Sequence, residues 1–337
     1  MKHMALFSGI GGFMYATERQ GIDTVWANEF DQKCCDTLTL NFPETTICRK
    51  SISEITSDDL SNVQEGIDLL TAGFPCQPFS SAGGTFAAFE DERGQLFFDI
   101  PRIISLMSEP PKIVLLENVP NLKVFDKGAL LKTILNSMRF AGYWVSEKNC
   151  VILDSSKFGA TPQRRERLFI VCAHKNYFKS NPFDFSTLSL PKRPKLFEII
   201  DRNIMPGEEY YLSPENKYFK MINALANESG RDRLYQIRRV IARACPKDIC
   251  PTLTANMGGG GHNVPFVFDK FGLRRLTESE CLKLQGFKPS DMQFPENVVS
   301  SDVRKMVGNA VCVGVIENIL NEVLKAFFEE PGKRNYG

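Results

Sequence analysis

Four short segments carry side chains able to do covalent and acid–base chemistry. In the run Gly73 to Ser80, Gly-Phe-Pro-Cys-Gln-Pro-Phe-Ser, Cys76 stands between Pro75 and Pro78. The prolines stiffen the backbone and oppose a helix there. The apolar run before them, Asp68 to Phe74, reads as a buried strand. A thiol held rigidly at a strand end is placed as a nucleophile, whereas a cysteine that only fills a core needs neither feature. Glu117 opens Glu-Asn-Val directly after the apolar run Lys112 to Leu116. A carboxylate at the end of such a strand is partly desolvated, which favours its protonated form and suits a general acid; a capping or ion-paired Glu is the plainer alternative. In Gln-Arg-Arg-Glu-Arg, residues 163–167, Arg165 and Arg167 alternate along an extended segment. Both are expected on one side, able to hold a carbonyl oxygen, a phosphate or Glu117; edge-strand gatekeepers are the alternative. Phe7 to Gly12, Phe-Ser-Gly-Ile-Gly-Gly, is a glycine loop, and the acid Glu29 follows at the end of the next strand. Glycines let a backbone pass close to a ligand, and an acid so placed can bind ribose hydroxyls, so the pair fits a nucleoside-containing cofactor.

The elements that must position these groups alternate over the first 175 residues. His3–Phe7 reads as a strand, a helix runs from about Phe13 to near Gly21, and Thr24–Phe30 is a second strand. Asp68–Phe74 and Lys112–Val119 are buried strands, and Trp144–Leu153 and Arg167–His174 a late antiparallel pair. Alternation of this kind builds a parallel sheet with crossover helices. After about residue 176 the periodicity weakens and proline rises, which suggests a second, smaller domain. From Arg275 a helix is expected, with Thr277 and Glu280 as its capping box. A last amphipathic helix, about 311–328, is expected to return to the first sheet.

Bulk properties narrow the class. The chain has 337 residues, 43% hydrophobic, with a formal net charge of +1, enough for one large domain or two modest ones. No apolar run approaches the ~20 residues of a membrane helix, and the N-terminus reaches its glycine loop too soon for a signal peptide, so a cytoplasmic protein is expected. The ten cysteines include no CxxC pair and no zinc-type cluster, so no metal is expected and nine of them read as buried thiols. Local charge is less neutral. Arg231, Arg233, Arg238, Arg239, Arg243 and Lys247 face a single acid, Asp232, in one 17-residue stretch. That is either a phosphate-binding patch or a solvated helix face.

In order, Phe-Ser-Gly-Ile-Gly-Gly, Asn-Glu-Phe, Gly-Phe-Pro-Cys-Gln-Pro-Phe-Ser, Glu-Asn-Val, Gln-Arg-Arg-Glu-Arg, the helix Arg274–Phe287 and Val-Gly-Asn-Ala-Val at 307–311 resemble the motifs of the bacterial, restriction-modification type DNA (cytosine-5)-methyltransferases, across nearly the whole chain. The resemblance implies a Rossmann-like, mostly parallel S-adenosylmethionine methyltransferase sheet with one antiparallel strand. It implies a catalytic domain over 1–178, a target-recognition domain over 179–270, a hinge and linking helix over 271–300, and a C-terminal segment, 301–337, returning to the catalytic domain. The cofactor implied is S-adenosyl-L-methionine, with S-adenosyl-L-homocysteine as product. Phe7, Gly9, Gly11, Gly12, Glu29, Phe30, Ser51, Pro75 and Asn309 would contact it. Ser51 stands where many members carry an Asp that holds the adenine, and Ala5 where many carry an acid.

The resemblance also implies the chemistry. Cys76 would add to carbon 6 of a flipped-out cytosine, making carbon 5 nucleophilic; Glu117 would hold ring N3 and Arg167 ring O2, with Arg165 ordering the thiolate, Glu117 or a phosphate. The segment after Cys76, with Gly83, Gly84 and Gly94, would close over the base. Gln77, Ser80, Arg231, Arg233, Arg238, Arg239, Thr252 and Thr254 would face double-stranded DNA, the protein acting as a monomer. The alternatives are a tRNA cytosine-5 methyltransferase, whose usual Cys-Phe-Thr element is absent here, and an inactive DNA-binding homologue, against which the intact Cys76, Glu117, Arg165 and Arg167 argue.

Overall fold

The protein is described by a computed structural model over residues 1–75, 96–238, 240–258 and 264–328. The chain divides into two compact units. The first holds residues 1–153, 166–189 and 315–337, and the second 154–165 and 190–314.

The first unit is built on a sheet whose strands are β1 (Lys2–Leu6), β2 (Asp23–Asn28), β3 (Thr46–Cys48), β4 (Leu69–Gly73), β5 (Ile113–Asn118), β6 (Tyr143–Trp144), β7 (Cys150–Asp154) and β8 (Glu166–His174). Their order is β3-β2-β1-β4-β5-β8-β6, with β7 also paired to β8. The pairs from β3 to β5 are parallel, and β8 runs antiparallel to β5. Every residue of β5 is buried, and so are the first four of β4, as expected of parallel strands covered on both faces. The connecting helices are α1 (Gly12–Glu18), α2 (Gln32–Asn41), α3 (Asp99–Leu106) and α4 (Ala129–Phe140). From α3 and α4, Ile100, Ile103, Leu131, Ile134 and Met138 enter the same core as Leu70, Val114 and Leu116. Chain order reverses between β1 and β4, and in doubly wound sheets ligands bind at the strand carboxyl ends beside that switch.

The second unit carries an antiparallel sheet, β10-β9-β11-β12, made of β9 (Tyr235–Arg238), β10 (Ile241–Ala244), β11 (Phe266–Phe268) and β12 (Leu273–Arg275). The Arg-rich stretch is therefore a strand hairpin, not a helix face: tertiary packing of Tyr235 and Ile237 on Phe266, Phe268 and Ile222 overrides its helix-compatible composition. Ile222 comes from α5 (Lys217–Ser229), capped by the Asn216 side chain, which accepts from Tyr218 N at 2.8 Å. Arg274, fully buried, donates to Asp269 Oδ2 at 2.7 Å and to both Glu280 oxygens at 2.8 Å, a bidentate arrangement that ties β12 to the following helix. That helix, α6 (Glu278–Gln285), has the expected capping box: Glu280 N donates to Thr277 Oγ1 and Thr277 N to Glu280 Oε2. It is followed by α7 (Ser300–Asn309) and α8 (Val313–Phe327). Among the described residues no helix is long and apolar enough to cross a membrane.

Candidate active site

The loop after β1 makes the floor of the candidate cofactor pocket. Gly11, at φ +86°, is the N-cap of α1, and a Cβ there would lie 2.5 Å from the Phe42 ring, so only glycine fits. Gly9, at φ +55°, has open space where a side chain would project. Phe7 itself adopts φ 54°, a conformation that costs a non-glycine residue energy and concentrates at functional sites. Gly12 is the first, buried residue of α1.

Glu29 holds this loop. Its Oε2 accepts Gly9 N at 2.8 Å, and its Oε1 accepts Phe30 N at 2.8 Å and Asp31 N at 2.9 Å. An ionised carboxylate offers about four acceptor positions, so three are committed to the main chain and one remains for a hydroxyl. Sequence reading assigned Glu29 only the ribose; the fold adds the task of locking the glycine loop to the end of β2. Beside it the Phe30 ring is 74% exposed, an apolar face of the kind on which a base stacks. The open space over Gly9, the residual acceptor on Glu29 and the bare Phe30 ring fit a nucleoside such as that of S-adenosylmethionine. Ser51 is used locally: its hydroxyl lies 3.0 Å from Ser53 Oγ and its N–H donates to Glu54 Oε2. Asn28, which the motif reading passed over, donates from Nδ2 to Cys48 O and Lys50 O at 3.1 and 2.9 Å, fastening the Ser51 turn to β2.

The candidate acid–base group lies on β5, two strands from β1. In register, Glu117 of β5 sits opposite Gly73 of β4, three residues before Cys76. Arg167 Nε donates to Glu117 Oε1 at 3.0 Å, and Arg167 Nη1 to Glu166 O at 2.7 Å. Asn118, a second residue without a role in the motif reading, donates from Nδ2 to Phe74 O at 3.0 Å and pins the segment that leads to Pro75, an exposed residue. Cys76, Gln77, Ser80, Arg239 and the glycines Gly83, Gly84 and Gly94 lie outside the described residues.

Arg165 takes partners other than Glu117. It belongs to the second unit, is 3% exposed, and donates to the carbonyls of Leu253 at 2.7 Å, Gly308 at 3.2 Å and Ala310 at 2.8 Å. Alternation along a strand predicts a common face only while the strand continues, and β8 begins at Glu166. Gln163 and Gln285 complete the same clasp. Gln163 Nε2 donates to Gln285 Oε1 at 2.6 Å, Gln163 Oε1 accepts Leu253 N at 2.9 Å, and Gln285 Nε2 donates to Ala310 O at 2.7 Å. Gly308 is required here because a Cβ would lie 2.2 Å from the Thr254 carbonyl carbon. Asn309, exposed, ends α7 in this unit, and Thr252 Oγ1 donates to Arg164 O at 2.7 Å.

The candidate DNA contacts also separate. Arg231 lies over the Phe268 ring at 4.5 Å and donates to Asn223 Oδ1 at 3.0 Å. Arg233 donates to Cys245 O at 3.3 Å. Arg238 is exposed on the β9–β10 hairpin. Among the described residues no group of three or more His, Cys, Asp or Glu side chains could hold a metal ion.

The first unit is a doubly wound α/β sheet with a glycine loop at its switch point and a Glu–Arg pair at the end of β5. Residues 1–325 match the family C-5 cytosine-specific DNA methylase. The chain is 36% identical over 325 residues to the Type II methyltransferase M.Bsp6I of Bacillus sp. (strain RFL6), covering 96% of this chain and 98% of that one. It is 37% identical over 318 residues to the Type II methyltransferase M.NgoBI of Neisseria gonorrhoeae, covering 94% and 90%. In fold it is similar to a putative DNA modification methyltransferase encoded within an E. coli prophage, with a TM-score of 0.71, 21% identity, and 98% and 100% of the two chains covered. The chain belongs to the C-5 cytosine-specific DNA methylases, enzymes that transfer a methyl group from S-adenosylmethionine to carbon 5 of cytosine in DNA.

Proposed function

We propose that the enzyme methylates cytosine within a specific double-stranded sequence through a covalent adduct on Cys76. The observation that supports this best is the Glu117–Arg167 pair at 3.0 Å, opposite Gly73 on the strand that leads into Cys76. Carbon 5 of cytosine is too weak a nucleophile to be methylated directly. Addition of the Cys76 thiolate at carbon 6 breaks the aromaticity and makes carbon 5 enamine-like, while Glu117 holds ring N3 and Arg167 ring O2. S-adenosylmethionine, held by Phe7, Gly9, Gly11, Gly12, Glu29 and Phe30, supplies a methyl group activated by its sulfonium. Loss of the proton at carbon 5 and elimination of Cys76 restore the aromatic ring and the free thiol. Arg165 is a positioning residue in this scheme. Because carbon 6 is buried in a duplex, the base must leave the stack.

The second unit serves as the target-recognition domain. The Type II naming of the relatives supports a place in a restriction-modification system, with the protein acting as a monomer in the cytoplasm, where bacterial DNA lies. The test is DNA containing 5-fluorocytosine, which cannot release its carbon-5 substituent as a proton. With cofactor present a covalent complex should persist in denaturing electrophoresis and be lost in Cys76→Ser. Absence of a complex on genomic DNA fragments, or trapping on tRNA instead, overturns the reading.

A further inference from the structure

We infer that the outer face of the β9–β10 hairpin is the ribbon that enters the major groove of the DNA, with Arg238, Ile241 and Arg243 as its reading residues. This rests on the proposed function. In the hairpin register Arg238 pairs with Ile241 and Gln236 with Arg243. Directly paired residues of an antiparallel ladder share a face, and so do residues two apart. One face therefore carries Gln236, which is buried, and Arg238, Ile241 and Arg243, which are exposed. The other presents Tyr235, Ile237, Ala242 and Ala244, all packed on the core of the second unit.

The outer face lacks what a merely solvated surface would have. Ile241 is 56% exposed and the adjoining Val240 at the turn 68% exposed. Arg238 and Arg243 are both exposed, diagonal neighbours on a face that holds no acid. Of the nearby basic residues, Lys247 is paired with Asp232 at 2.7 Å, Arg231 lies on Phe268 and Arg233 bonds Cys245 O. Among the described residues the structure gives Arg238 and Arg243 no ion pair. β10 is an edge strand, so no further strand of this sheet covers it. Two cations beside a bare β-branched side chain, on a ribbon two strands wide, complement a groove lined by phosphates whose floor offers guanine acceptors and thymine methyls. The major groove admits a two-stranded ribbon.

The test first maps the methylated sequence by bisulfite sequencing of DNA from cells expressing the wild-type chain, then uses a synthetic duplex bearing that site. Arg238→Ala/Arg243→Ala and Ile241→Ser are compared with wild type, and Lys220→Ala, on α5, is the control. The double variant should weaken binding to the duplex by on the order of 10- to 100-fold and flatten its salt dependence. Ile241→Ser should relax the mapped target at one position while thermal stability and cofactor binding stay unchanged. Wild-type duplex affinity in the double variant, with an unchanged target map in Ile241→Ser, overturns the proposal and leaves a protein-binding face as the remaining role of the ribbon. Failure of the wild type to methylate or trap any DNA would instead overturn the proposed function, so the two failures are distinguishable.

Discussion

Glu117 and Arg167 meet at 3.0 Å across the antiparallel junction of β5 and β8, where the carboxyl end of β5 lies beside the start of β8. Register puts Asn118 opposite Leu168, so Arg167 lies one residue beyond the paired segment and its side chain can return to Glu117. Glu117→Gln keeps the shape but removes the carboxylate that pairs with Arg167 and the group proposed to hold ring N3. It should lower kcat by about 10²- to 10⁴-fold while changing DNA affinity only a few-fold. Single-turnover methylation alongside a filter-binding titration checks this, and a change confined to KM would contradict the assigned role.

Cys76→Ser should abolish methyl transfer and 5-fluorocytosine trapping yet leave cofactor affinity largely intact. A hydroxyl is far less ionised than a thiol near neutral pH, so addition to carbon 6 fails. Calorimetric titration with S-adenosylmethionine and a tritium transfer assay separate binding from chemistry, and substantial residual transfer would refute Cys76 as the nucleophile.

Glu29→Gln tests the double duty of that side chain. A carboxamide has one acceptor oxygen where three backbone N–H groups now converge on two. Cofactor affinity should fall at least about 10-fold, with stability lower by about 1 kcal/mol because partly buried N–H groups lose their partner. If Glu29 only touched the ribose, affinity would fall with no change in unfolding.

Arg165→Ala strips three carbonyls in the second unit, those of Leu253, Gly308 and Ala310, of a buried donor. A loss of about 2–4 kcal/mol is expected, read as a lower urea midpoint. Arg167→Ala, at a partly solvated ion pair, should cost less stability and more kcat, the reverse ranking from Arg165.

His3 gives the fold an acid-sensitive point. It is fully buried in β1, with Nδ1 2.8 Å from Thr24 Oγ1 and Nε2 2.8 Å from Thr71 Oγ1. Burial pushes its pKa down to about 3. The unfolded state then takes up a proton near pH 6.5 while the native state does not, so stability is complete above that pH and falls as pH drops from there toward 3. Between pH 6.5 and 5 the loss should be about 2 kcal/mol, measured by urea unfolding; His3→Gln should lack this part of the acid limb.

The sequence by itself determined the strands β1, β2, β4, β5 and β8, the glycine loop with its acid, the Thr277–Glu280 cap and the family motifs. Each of these depends on neighbours within a few residues: φ freedom at Gly11, a side chain reaching its own helix end, apolar runs bounded by turns. Tertiary structure alone decided which partner each polar group took. Arg165 and Arg167 stand two residues apart in nearly identical chemistry, yet the end of β8 gives one to main-chain carbonyls of the second unit and the other to Glu117. Gln163, Gln285 and Asn118 gained their tasks from segments as many as 122 residues away, contacts that no local pattern encodes. The Arg-rich stretch became a strand hairpin because Tyr235 and Ile237 found an apolar layer to cover. Its charges read equally well as a phosphate-binding patch or a solvated helix face; the strand hairpin was decided only by burial of its opposite face.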